Sequence, residues 1–285
     1  MDLPPRTDLP FFAYGVFKPG QLGYHRISDL VVRAETAAIP GTLRIRDGLP
    51  IVDLDAASTA RQVDGHLLHF RTDGGQAAYS RIADLEPDKQ YRWAEVRAAD
   101  VPANALIGRS PRKGSVVAEE EWDGKRDPLF TAALDVVEET LRTNREFAWD
   151  LKPLFRLQMA YLLLWSAIER YVSLRYHLGE RVNQKVNHLA SENVFTEALA
   201  EARPLKREVV RSHKPEEKAV LDWENPKKAL DYYYQVRSNI THRGKAVVED
   251  HDRLLKSLDE LLPIFQKVLN SAFGTATPEG RLTGR

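Results

Sequence analysis

Within six residues, Arg237-Ser238-Asn239-Ile240-Thr241-His242 places a guanidinium, an amide and an imidazole, and Arg243-Gly244-Lys245 follow directly. An imidazole titrates near neutral pH and can pass a proton between oxygens, while a guanidinium is a fixed cation that fits phosphate. Together they are what a ribonuclease working without a metal requires. Spacing alone does not make the case: with 8 His and 41 Lys plus Arg in 285 residues, accidental pairs are expected, and Arg61 with His66 is one. On a regular helix, residues five apart are rotated by about 140° and do not share a face. Either the helix breaks before Gly244, or a second chain completes the site. The bland alternative makes His242 a helix C-terminal residue favoured by the macrodipole and pairs Arg237 with an acid such as Glu169.

A second set of candidate residues lies near the N-terminus. Phe12 to Gly20 is an apolar run entering a glycine turn, a geometry that turns backbone N–H groups toward an anion. Some 70 residues on, Glu86 stands between Leu85 and Pro87 at the end of a helix-like segment, and Tyr91-Arg92-Trp93 opens a strand. A carboxyl in an apolar pocket has a raised pKa and can both take and give a proton; an exposed helix-end carboxylate is the ordinary alternative. A third feature is Arg203 to Lys214, where Arg203, Lys206, Arg207, Arg211, His213 and Lys214 face one acid, Glu208. It reads as a solvated helix face or as a phosphate-facing surface using Arg207 and Arg211. Tyr232-Tyr233-Tyr234 could stack on bases, but consecutive helical positions point three ways, so at least one belongs to a core.

The elements that must position these residues fall into two groups. Residues 9 to about 122 are β-rich, with strand-like runs at 9–14, 39–45, 63–70 and 91–96 and one helix pattern at 76–85 closed by Pro87. From Pro128 onward apolar residues recur three and four apart over 128–148, 153–178, 183–201, 226–242 and 249–272, and strand signals vanish. The Gly- and Pro-rich stretch 104–127 puts a boundary near residue 125. The expectation is a multidomain α+β protein: a β domain over 8–122, an all-α domain over 128–273, and a frayed tail at 274–285.

Composition narrows the chemistry. The chain is 43% hydrophobic and 29% charged, and its longest apolar run, Met159 to Trp165, is far too short to span a bilayer, so no membrane partner is expected. Met1 to Pro5 lacks the basic and apolar regions of a secretory signal, which makes a cytoplasmic protein the expectation. The absence of Cys removes disulfides, thiolate nucleophiles and cysteine-ligated zinc. With 41 acidic and 41 basic residues the whole-protein field does not draw nucleic acid, which favours a structured RNA such as tRNA over promiscuous binding.

Tyr14 to Gly20, Ala83-Asp84-Leu85-Glu86 and Tyr91-Arg92, with Gly41-Thr42-Leu43 and Val63-Asp64-Gly65 between them, resemble the gamma-glutamylcyclotransferase-like family over roughly residues 10 to 122. Members show Tyr-Gly-small-Leu-Lys/Arg-x-Gly, then a Leu-Asp-x-x-Glu helix end, then Tyr-x-Arg. Here Val16-Phe17 stand for the small residue and the Leu, and Pro87 follows Glu86. The resemblance implies a mixed β-barrel with short helices whose pocket, at Tyr14, Gly15, Val16, Phe17 and Tyr91, holds a gamma-glutamyl-like ligand. It gives Glu86 the proton transfers of cyclisation to 5-oxoproline.

The helical half resembles HEPN domains (higher eukaryotes and prokaryotes nucleotide-binding) of bacterial toxin and antiphage-defence systems over about 128 to 272. The residues that carry this are Phe155 to Glu169 as a long buried helix, Val236 to Lys245, and a closing helix with Leu254-Leu255, Leu258 and Leu261-Leu262; Ser238 stands between the Arg and the Asn. The resemblance implies an all-α HEPN-like bundle that forms a homodimer with the two motifs facing each other. His242 would act as general base on a ribose 2′-hydroxyl, Arg237 and Arg243 would stabilise the phosphorane, Asn239 would orient the imidazole or touch phosphate, and Lys245 would contact RNA. Products would be a 2′,3′-cyclic phosphate and a 5′-hydroxyl, with no metal and no cofactor. The expected function is thus a toxin or defence ribonuclease, with an antitoxin as a further partner and the β domain as ligand sensor or regulator. The alternatives are a cyclotransferase dimerised by a non-catalytic HEPN domain, and a protein that binds at both sites without catalysis.

Overall fold

The structure, a computed structural model, describes residues 1–54, 61–86, 88–118, 121–176, 182–242 and 247–273. The chain divides into two compact units, one built on Met1–Asp127 and the other on residues 128–173 and 182–271.

The N-terminal unit holds an open five-stranded sheet and a smaller three-stranded one. In chain order the strands are β1 (Phe11–Ala13), β2 (Val31–Pro40), β3 (Thr42–Arg46), β4 (Leu49–Asp53), β5 (Gln62–Phe70), β6 (Tyr91–Ala98), β7 (Val101–Gly108) and β8 (Val116–Val117), with helix α1 (Gly75–Leu85) between β5 and β6. The large sheet runs β2-β5-β1-β7-β6 and the small one β4-β3-β8. Among the described residues only β1 against β7 is parallel, and the other ladders are antiparallel. Alternation along β1 sorts its side chains. Phe12, followed by Tyr14, joins Ile39, Val52, Val63, Leu67 and Ile107 in one buried cluster. Phe11 points the other way, where Tyr79 of α1 stands edge-on to Phe11, Phe70 and Trp93 at 5.3 to 6.2 Å.

The expected closed barrel is not found among the described residues: β2 and β6 are the two edges of the large sheet, with no ladder joining them. Arg33 and Glu35 on β2 and Arg92, Glu95 and Arg97 on β6 are the kind of charged edge residues that resist further pairing.

The second unit contains α2 (Ala132–Thr143), α3 (Lys152–Arg175), α4 (Val182–Leu189), α5 (Asn193–Ala202), β9 (Arg207–Val210), β10 (Lys218–Leu221), α6 (Pro226–His242) and α7 (Val247–Ala272). It is not the expected all-helical bundle, because β9 and β10 form an antiparallel hairpin within it. The stretch 203–214, read from sequence as a solvated helix face, is this first strand with its flanking loops. Each strand is four residues long and carries two or three apolar residues among charges, too short to show a period. The helix expected over 183–201 is two helices: the N–H of Ser191 turns back to the carbonyl of His188, and α5 starts afresh after Glu192, whose backbone is extended. α3, α6 and α7 supply much of the core, with Tyr161, Trp165, Ile168, Tyr232, Tyr233, Leu258 and Phe265 buried. The Tyr161 hydroxyl donates to the Tyr233 carbonyl at 2.9 Å. Two of the three consecutive tyrosines are therefore core, and only Tyr234 is half-exposed. No described helix is long and apolar enough to cross a membrane.

Candidate functional site

The N-terminal candidates converge. Tyr14, Gly15, Val16 and Phe17 from the turn after β1, Glu86 from the end of α1 and Tyr91 from the start of β6 all line one cavity, with Leu49 and Pro50 of β4 and Leu106 of β7. Glu86 is placed by the end of its helix: its N–H donates to the Ile82 carbonyl at 3.2 Å, and its backbone then turns out at φ −91°, ψ 127°. The turn is tight. The Lys18 N–H donates to the Gly15 carbonyl at 3.0 Å, and a Cβ on Gly15 would meet the Pro50 ring at 2.7 Å, so only glycine fits against β4 there.

The pocket's hydroxyls already have partners. Tyr14 donates to the Leu106 carbonyl at 2.6 Å and Tyr91 to the Pro50 carbonyl at 2.8 Å. Burial, and after it the Glu86 carboxylate, push the Tyr14 phenol well above its ordinary pKa, so it stays protonated. The cavity measures about 20 Å³, room for about one water and not for a glutamyl group. Phe17, where the family pattern has Leu, is buried in the wall. As it stands the site is an apolar slot with one carboxylate at its edge.

Lys18, at the Lys/Arg position of the Tyr14 to Gly20 pattern, does not line the cavity and is buried. Its ammonium bonds the Glu121 carboxylate and donates to the Trp122 carbonyl at 3.0 Å. Two histidines are also shifted by burial. Burial pushes His25 down to about 4, and burial together with the charge of Lys18 lowers His66. A base with a depressed folded pKa stays neutral in the folded state while the unfolded chain takes a proton. Stability is thus whole above the unfolded value of about 6.5 and falls as pH drops toward the folded one. For half-buried His25 the loss by pH 5 is roughly 1 to 2 kcal/mol after allowing for solvent screening. Denaturation at pH 7.5 and pH 5 should show a smaller drop in His25→Gln than in wild type; equal drops would refute the assignment.

The second candidate lies on α6, which is unbroken through His242. Positions 237 and 242 are thus about 140° apart around one helix that has no break up to His242, and residues 243–246, beside the expected break before Gly244, lie outside the described residues. The side chain of His242 lies outside what the structure describes, as do Arg243 and Lys245 altogether. Arg237 makes the pairing anticipated in the bland reading: its Nη2 donates to Glu169 Oε1 at 3.4 Å, with both side chains 30% exposed, and its guanidinium sits 5.8 Å from the centre of the Tyr234 ring. Asn239 turns to the hairpin, its Nδ2 donating to the Val210 carbonyl at 2.9 Å, and Ser238 meets Ser212 at 2.7 Å. Three buried polar atoms on this stretch have no hydrogen-bond partner among the described residues: Gln235 Oε1, Arg237 Nε and Asn239 Oδ1. A cavity of about 20 Å³ adjoins Asn239, walled also by Gln158 of α3 and by Asp250 and Arg253 of α7.

The other two expected phosphate contacts are held inside the unit. Arg207 is bound by the Glu260 carboxylate and donates to the Tyr232 hydroxyl at 2.9 Å. Arg211 pairs with Asp231. Neither guanidinium is presented as an open phosphate site. Among the described residues no three His, Asp or Glu gather as a metal site. No protein-family model matches the chain, and neither a curated protein nor a solved structure matches it.

Proposed function

We propose that the helical unit is a metal-independent endoribonuclease of the HEPN type, as in toxin and antiphage-defence systems, and that a small gamma-glutamyl-like ligand controls it by parting the walls of the slot beside Glu86, which at rest holds about one water. The observation that carries this reading is the state of Arg237. A guanidinium has five N–H donors, yet among the described residues it makes one long hydrogen bond and its buried Nε makes none. A half-buried cation with one long bond to Glu169 and a buried Nε without a partner can exchange that carboxylate for a phosphate oxyanion, and buried acceptors without partners on Asn239 and Gln235 mark the same stretch as built for something beyond packing. His242, on the same helix, supplies the base, Arg237 holds the phosphorane, and a homodimer brings one chain's Arg to the other's His.

The test is to incubate purified protein with total RNA and with tRNA in EDTA and identify the ends. Cleavage leaving 2′,3′-cyclic phosphates, lost in His242→Ala, supports the assignment; cleavage unchanged in that variant overturns it.

A second reading, gamma-glutamyl cyclotransfer by Glu86, is favoured by the convergence of Tyr14 to Phe17, Glu86 and Tyr91 on one cavity. Both this reading and ligand control require the slot to open beyond its room for one water, and turnover further requires Glu86 to reach the reacting amine, which ranks cyclotransfer second. Release of 5-oxoproline from a gamma-glutamyl amine or peptide, abolished in Glu86→Gln, would reverse that order.

A further inference from the structure

The two most exposed aromatic side chains among the described residues, Trp149 at 82% and Phe155 at 54%, lie six residues apart, just before and just inside the start of α3. Met159, one turn beyond Phe155 on the same face, is 67% exposed. A soluble domain does not ordinarily leave a Trp, a Phe and a Met in water within eleven residues of sequence (149–159) unless something covers them. Cations accompany them. Arg156 is exposed and its hydrogen-bond partner is an amide oxygen, Asn144 Oδ1 at 3.5 Å, while the carboxylate that feels its charge, Asp150, is already bonded by Lys152. Lys152 is exposed and tied to Asp150 alone. Further along, α3 brings Glu169 to Arg237. From Phe155 to Glu169 the rise is about 21 Å, a few nucleotides of extended strand.

We propose that the outer face of the first turns of α3, with Trp149, Phe155 and Arg156, is a docking surface for single-stranded RNA that leads the strand to Arg237. The aromatics offer π faces on which any base stacks, and Arg156 offers a charge to the backbone, the combination that binds single strands without reading sequence. A second copy of the chain fits this face less well. Lys152 and Arg156 outnumber Asp150 on it and leave the face with a net positive charge, so two copies would set like charges close together. The inference rests on the nuclease reading for its substrate but not for its measurement.

The experiment uses the full chain carrying His242→Ala, so that nothing is cut, and a fluorescent single-stranded oligoribonucleotide in EDTA, followed by anisotropy. Trp149→Ala and Phe155→Ala should each weaken binding about tenfold or more, while Phe155→Tyr, which keeps a stacking face, should bind as the parent does. Arg156→Ala should lower the slope of log affinity against log salt by about 0.7, one phosphate contact on a single strand. Equal affinity in the Trp149→Ala, Phe155→Ala double variant would overturn the docking surface and leave the nuclease standing. So would that double variant sedimenting as a smaller species with its RNA affinity unchanged, since the face would then belong to a second copy. Binding lost in the aromatic variants, with wild type binding RNA but never cutting it, would uphold the surface and sink the nuclease.

Discussion

Replacing Arg207 by Ala should cost the helical unit about 3 to 5 kcal/mol, the range for removing one partner of a buried ion pair. Arg207 and Glu260 are only 19% and 18% exposed, and their network reaches the core. Arg207 Nη1 donates to Glu260 Oε1 at 2.8 Å, a second guanidinium nitrogen holds the other carboxylate oxygen, and its Nε donates to the Tyr232 hydroxyl. Tyr233 donates to Glu260 Oε2 at 2.8 Å, and Tyr161 donates to the carbonyl of Tyr233. Deleting the guanidinium leaves a carboxylate without its cation in a site that water reaches poorly, and that uncompensated charge is the main penalty. Replacing both partners, as in Arg207→Met with Glu260→Leu, should recover much of the loss, because the charge leaves with its partner. Urea denaturation of the three proteins would check this. Arg207→Ala with wild-type stability but weakened, less salt-dependent RNA binding would instead return Arg207 to the role of phosphate contact first read from the sequence.

The case of Arg207 shows what the sequence could and could not convey. A run of six basic residues in twelve is visible without a structure, but whether each guanidinium meets water or a carboxylate depends on Asp231 and Glu260, 20 and 53 residues away. The hairpin hid for a related reason. Arg207 to Val210 and Lys218 to Leu221 are too short to display a period, and their pairing is a contact between strands. Barrel closure likewise depends on what edge strands β2 and β6 do at long range, which the pattern within each strand does not state. Local features were legible: α1 and α6 lie where the helical spacing put them, because apolar residues three and four apart must bury one side. The gathering of Tyr14, Glu86 and Tyr91 about one cavity was expected from the family resemblance, whereas the burial of Lys18 was not, since no short-range signal distinguishes a lysine that turns inward to Glu121 and Trp122.

The unbroken α6 yields the sharpest functional expectation. Removing a positioned general base or the cation that steadies the phosphorane lowers cleavage by about 10² to 10⁴, so His242→Ala and Arg237→Ala should each be nearly silent. With positions 237 and 242 about 140° apart on one continuous helix, the proposed site takes its Arg from one chain and its His from another. In a dimer with one chain of each variant, one site then has both substitutions and the other has neither. Mixing the two proteins in equal amounts after unfolding, and refolding them together, makes half the dimers mixed with one whole site each, so cleavage should return to about a quarter of wild type. A site formed within one chain predicts no recovery at all. The comparison is internal to one preparation and needs no knowledge of the natural RNA. Recovery that rises with the heterodimer fraction would fix the geometry of the site as shared, and its absence, with both variants folded and dimeric, would rule that geometry out.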